Sequence, residues 1–177
     1  IQFKVVDSEN EYFLAWTTTP WTLPGNVALA VKPDATYAQV LSNKQLLWVA
    51  QELVERVFAN REYSVVTTAL GSELVGKHYE PLFPYVDSDK PSGWSVLPAD
   101  FVSLTDGTGI VHTAALFGED DYALALKYDL PLVPTLDDEG KFLPFVALVS
   151  GKFYKSTKKI INQALAKQGS LFKEEKI

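Results

Sequence analysis

Ala15-Trp16-Thr17-Thr18-Thr19-Pro20-Trp21-Thr22-Leu23-Pro24-Gly25-Asn26 is a run that core packing alone has no use for. The β-branched and aromatic residues from Tyr12 to Thr19 predict extended chain, and Pro20 and Pro24 stop the strand and fix the turn behind it. Hydroxyl groups are thereby presented at a strand end. The plainer alternative is an edge strand with a proline-rich turn. Around this run, Phe3 to Val6, Glu11 to Thr19, Val27 to Val31, Thr36 to Leu41 and Leu46 to Ala50 read as short strands. Asp7-Ser8-Glu9-Asn10 and Ser42-Asn43-Lys44 are turn signals between them, so the first third is expected to be antiparallel and strand-rich.

Further along, Gln51 to Asn60 carries apolar residues at 53, 54, 57 and 58, a helical stripe, and Tyr63 to Leu70 returns to strand. Residues 81 to 98 hold four of the ten prolines and read as a long surface excursion inside one domain. Phe101 to Leu104 and Gly109 to Ala114 are predicted strands joined by a tight turn at Thr105-Asp106-Gly107, which places His112 near a strand end. Gly118 to Tyr128 reads as a helix with Glu119, Asp120 and Asp121 in its first turn, where carboxylates suit the helix dipole. After short extended pieces around Leu132 and Phe142, Lys155 to Gln168 is a helix stopped by Gly169. Its face of Lys155, Lys158, Lys159 and Lys167 is either plainly solvated or turned to phosphate.

Composition narrows the class. A chain of 177 residues with 47% apolar content suits one domain, residues 1–177, with a sizeable core. There is no Met, so Ile1 is expected to mark an excised piece of a larger protein, and no Cys, which excludes a disulfide framework. No apolar run approaches a membrane span. A net charge of -6 argues against a free-standing nucleic-acid binder, because phosphate neutralisation by Lys and Arg supplies most of such affinity.

Counting also removes several chemistries. Two histidines, His78 and His112, without Cys or a His-Glu-x-x-His helix predict no metal site. Gly107-Thr108-Gly109 lacks the remaining glycines and the Lys of a phosphate-binding loop, and no Gly-x-Ser-x-Gly elbow is present. What remains is a set of hydroxyls, one imidazole, carboxylates and an amide. Such a set suits hydrolysis of an activated ester by a positioned water, with no cofactor.

The opening run, taken with Asp106-Gly107-Thr108-Gly109-Ile110-Val111-His112-Thr113-Ala114-Ala115-Leu116-Phe117-Gly118-Glu119-Asp120-Asp121-Tyr122, resembles the editing domain, connective peptide 1, of isoleucyl-tRNA synthetase among the class I synthetases. Valyl and leucyl relatives carry Thr-Thr-Arg-Pro in the first motif, whereas Thr19 here precedes Pro20-Trp21-Thr22. The resemblance spans essentially the whole chain. It departs at Ala115, where the family usually has Pro.

The resemblance implies an α+β fold with a strand-rich, partly barrel-like core and peripheral helices, in a cytoplasmic, monomeric enzyme. It implies hydrolysis of valine from the 3′ end of isoleucine tRNA, with valyl-adenylate open as a second substrate. Thr17, Thr18 and Thr19 would hold water or the terminal ribose, Asn26 would fix the substrate, and Asp121 would hold its α-ammonium. For Asn26 the plainer reading is a turn residue, and for Asp121 a helix-start charge. Trp16 and Trp21 read as core or pocket wall, with Trp21 counted among the substrate-binding residues. His112 would crowd the far end of the pocket, so that valine fits and isoleucine does not. A lone His at a strand end is otherwise a satisfied structural residue or a general base. A catalytically silent binding module and a free-standing trans-editing deacylase are the competing readings.

Overall fold

The computed structural model describes residues 1–176. Eight strands, β1 (Gln2–Lys4), β2 (Glu11–Leu14), β3 (Ala28–Val31), β4 (Thr36–Ser42), β5 (Gln45–Ala50), β6 (Ser64–Leu70), β7 (Ser95–Pro98) and β8 (Ile110–Thr113), form two sheets. The larger runs β1-β2-β5-β4-β6 and the smaller β7-β3-β8, both open, so the partly barrel-like expectation resolves into two sheets with no closed barrel. Asn43 (φ 47°) and Lys44 (φ 63°) turn the β4–β5 hairpin with both central residues left-handed. That is the two-residue geometry whose twist matches flanking strands.

Alternation explains the layers. Leu29 and Val31 of β3 point into a core shared with Phe3, Phe13, Tyr37 and Trp48 of the larger sheet. Ala28 and Ala30 of the same strand face Leu124 and Ala125. Those two belong to α3 (Glu119–Lys127), so the small sheet lies between the larger sheet and that helix. Leu14, Val40, Leu47 and Val49 cover the outer face of the larger sheet with Val54 and Phe58. Ile161 and Leu165 of the final helix, α4 (Lys158–Lys167), close the central core.

Five expectations are corrected. The first third is not antiparallel throughout, because β2 pairs in parallel with β5. The strand predicted to Thr19 ends at Leu14: Trp16 bridges to Val111 instead, and the Thr19 amide donates to Thr17 Oγ1 at 3.1 Å. A threonine hydroxyl that satisfies a nearby backbone N–H competes with the strand ladder. The helix expected over Gln51 to Asn60 shrinks to a 3-10 turn and a single turn, α1 (Val54–Val57). The stretch Phe101 to Leu104 forms no strand, because Ser103 Oγ accepts from the Thr105 amide and closes a local turn. The supposed surface excursion ends in β7, paired in parallel with β3 and buried at Ser95, Val96 and Leu97. A second single turn, α2 (Gly71–Leu74), follows β6.

Gly107 (φ 66°) lets the loop before β8 pass under Trp16, and a Cβ there would overlap the indole ring. Gly107→Ala is expected to cost about 1–3 kcal/mol from the left-handed backbone alone. Displacing Trp16, which is 40% exposed, adds to that cost. Urea unfolding measures the loss, and a red-shifted tryptophan emission reports the displaced ring.

Candidate active site

The turn that the prolines predict is a 3-10 segment, Pro20–Gly25, packed against α4. It carries Thr22 inward to His112 on β8, which lies opposite Leu29 of β3. A chain of hydrogen bonds then runs from the surface to the core. Thr17 Oγ1 lies 3.3 Å from Thr19 Oγ1, which lies 3.5 Å from Thr22 Oγ1. Thr22 Oγ1 is 2.8 Å from His112 Nε2, His112 Nδ1 is 2.9 Å from Asn26 Nδ2, and Tyr79 Oη donates to Asn26 Oδ1 at 2.5 Å.

The proton positions follow from counting donors. Asn26 Nδ2 also donates to the Ala28 carbonyl at 3.1 Å, which fixes the amide orientation. His112 Nδ1 must therefore accept, so its proton sits on Nε2 and is donated to Thr22. The Thr22 hydroxyl in turn donates to the Thr19 carbonyl at 2.8 Å. Both nitrogens of His112 are engaged. The ring is buried, and burial pushes its pKa down to about 4. A neutral imidazole with its lone pair in use has no capacity to take a proton from water.

This arrangement has a consequence for stability. Between about pH 4 and the ordinary histidine value of about 6.5, the unfolded chain binds a proton at His112 that the folded chain does not. Stability therefore rises with pH across that window and is lost as pH falls through it, by about 3 kcal/mol in all. Urea midpoints measured from pH 4 to pH 7 should show this slope, and His112→Gln should reduce it.

Asp121 stands in the first turn of α3, half-buried, with Oδ2 accepting a 3.3 Å bond from the Ala114 amide just beyond His112. Burial raises its pKa, the Ala114 bond works against that, and Asp120 adds to it. Among the described residues no cation pairs with it. A Cβ added to Gly25, at the end of the threonine turn, would meet Phe117, Thr135 and Ala114, so the turn and Asp121 both approach the end of β8. With Ala115 in place of Pro the loop still closes, through Phe117 N–H to the Ala114 carbonyl at 3.1 Å.

The structure thus joins Thr17, Thr19, Asn26 and His112 in one network. Thr18 is exposed and, with Thr17, Trp16, Arg56 and Thr108, lines a cleft of about 280 Å³ on the outer side. Trp21 turns to the edge of Tyr154, ring centroids 5.6 Å apart. Thr22 and Tyr79 were not read from the sequence. Thr22 had a usable signal, since it lies three residues after Thr19 in a proline-started turn; Tyr79 had none. No group of three His, Cys, Asp or Glu among the described residues is placed to hold a metal ion.

No family model matches the chain. In structure it resembles the leucyl-tRNA synthetase CP1 domain GlLeuRS-CP1, with a TM-score of 0.72 and 21% identity over 97% of this chain and 87% of that one. The P. knowlesi cytosolic leucyl-tRNA synthetase editing domain gives 0.65 and 14%, over 90% and 82%. The fold is that of the CP1 editing domains of synthetases. In sequence the chain is 49% identical to isoleucine-tRNA ligase of Clostridium novyi and 43% identical to that of Bacillus thuringiensis, in each case over 99% of its length. It belongs to the isoleucyl-tRNA synthetase family and spans 17% of the length of these relatives.

Proposed function

We propose that this chain is the editing domain of an isoleucyl-tRNA synthetase and hydrolyses the ester that joins valine to isoleucine tRNA, sparing the isoleucine ester. The observation that carries the reading is Asp121, a half-buried carboxylate without a cation partner among the described residues, bonded to the amide that follows the strand carrying His112 of the hydroxyl network. A carboxylate partly withdrawn from water, with no counter-charge, is matched by the α-ammonium of an aminoacyl ester.

With the ammonium held there, the Thr17 and Thr19 hydroxyls orient the terminal ribose and a water against the ester carbonyl. The water adds to the carbonyl carbon, the carbon–oxygen bond to the ribose breaks, and the proton of the water passes to the departing ribose oxygen. An aminoacyl ester is already activated, so positioning supplies much of the acceleration. In this reading His112, held rigid by Thr22 and Asn26, supplies the bulk that limits the side chain of the bound amino acid. Such a sieve is needed because one methylene gives a synthetic site only about 1–3 kcal/mol of discrimination.

Titration with a non-hydrolysable valyl-adenosine amide tests the pocket. Saturable binding that Asp121→Asn removes supports the reading; equal binding of the analogue and of adenosine alone overturns it.

A further inference from the structure

The chain is acidic overall, yet residues 140–173 contain seven of its sixteen basic residues and no Asp or Glu. Lys141 and Lys173, at the ends of this stretch, pair with Glu139 and Glu175. Lys152, Lys155, Lys158 and Lys159 are exposed, and among the described residues none of them forms a salt bridge. Four uncompensated charges within eight residues repel one another, and an acidic surface elsewhere on the chain would have sufficed for solubility.

Their location gives the charge a use. The Tyr154 ring packs on Trp21 in the turn after Thr17–Thr19, with Lys155 Nζ 5.8 Å from the same ring. The helix α4, which starts at Lys158, packs directly against that turn. Lys155 and the start of α4 therefore lie next to the turn that follows Thr17–Thr19. Phe153 is 45% exposed among them, an aromatic face on which an unpaired base can stack. Beyond it a groove along α4 is lined by Ser156, Lys158, Lys159, Asn162 and Gln163. Its carboxylate, Glu174, accepts from Asn162 Nδ2 at 3.0 Å.

We propose that Lys152, Lys155, Lys158 and Lys159 form the surface that holds the phosphodiester backbone of the RNA whose 3′ end enters the threonine site. This rests on the editing reading for the identity of the partner, and charge complementarity selects RNA: a chain of net charge -6 needs one localised basic face to bind a polyanion.

The test is a titration of the 177-residue chain with a fluorescent RNA minihelix carrying a single-stranded CCA end, repeated at several salt concentrations. The quadruple variant K152Q/K155Q/K158Q/K159Q is expected to bind at least about tenfold more weakly at low salt. The slope of log K against log salt should fall by about 3, the loss of four phosphate contacts. A K44Q/K127Q variant, changed at two exposed lysines on the β4–β5 hairpin and on α3, should retain affinity and slope. An unchanged slope in the quadruple variant, an equal loss in the control, or no binding by the unaltered chain at low salt overturns the proposal. Circular dichroism of both variants confirms that the fold survives. Hydrolysis of valyl-adenosine by the unaltered chain is measured separately: RNA binding through the lysines without that hydrolysis refutes the editing reading alone, and hydrolysis without lysine-dependent binding refutes the surface alone.

Discussion

Replacing Asp121 with alanine is expected to lower hydrolysis of the valine ester at least about a hundredfold, because an ammonium left without its partner in a partly dry pocket costs about 3–5 kcal/mol. The fold should tolerate the change. The one described hydrogen bond of the Asp121 side chain is the long 3.3 Å contact from the Ala114 amide. Asp121→Asn separates charge from shape, since it retains an oxygen to accept that amide and loses only the charge; its activity should fall as far. Burial holds the carboxyl above the ordinary carboxylate range. The acid limb of kcat/KM should therefore lie at higher pH than for an exposed aspartate, with activity lost as pH falls through it. Full activity in a folded Asp121→Ala chain would move the anchor to Glu119 or Asp120.

The second large effect is a change of specificity. His112→Ala is expected to hydrolyse isoleucine-charged tRNA while keeping measurable activity on the valine ester, because the lost ring makes room for one methylene more. A general base would behave otherwise, since its removal costs about 10²–10⁴-fold on every substrate. The geometry argues against a general base, with Nδ1 and Nε2 both engaged and burial holding the imidazole neutral. Truncation also removes one hydrogen bond each from Asn26 Nδ2 and Thr22 Oγ1, which keep the Ala28 and Thr19 carbonyls as partners, at about 0.5–1.5 kcal/mol for each bond lost. The variant should be assayed below its lowered melting temperature. Collapse of valine activity with isoleucine still protected would assign His112 to the chemistry.

The part of the site carried by local pattern was legible in the sequence. Prolines at 20 and 24 stop the strand and start a turn, the Thr105-Asp106-Gly107 signal leads into β8, and the acidic first turn of α3 falls where Glu119 to Asp121 predict it. What pairing over distance decides was not legible. Ser95–Pro98 follows a proline-rich stretch and becomes a strand only because β3 offers it a parallel partner. The strand after Tyr12 stops early because the Thr17 hydroxyl bonds a backbone amide two residues on, which strand propensity does not register. Tyr79 reaches Asn26 across 53 positions, so nothing near it in the chain announces the contact.

The reading stands or falls on a comparison of two substrates. Isoleucine tRNA charged with valine and the same tRNA charged with isoleucine are incubated separately with the folded chain, and release of the labelled amino acid is followed against a buffer blank. The valine ester should be hydrolysed well above the blank while the isoleucine ester decays at the blank rate. Equal release from both, or release from neither at concentrations where the RNA is bound, would contradict an editing site that sorts by size.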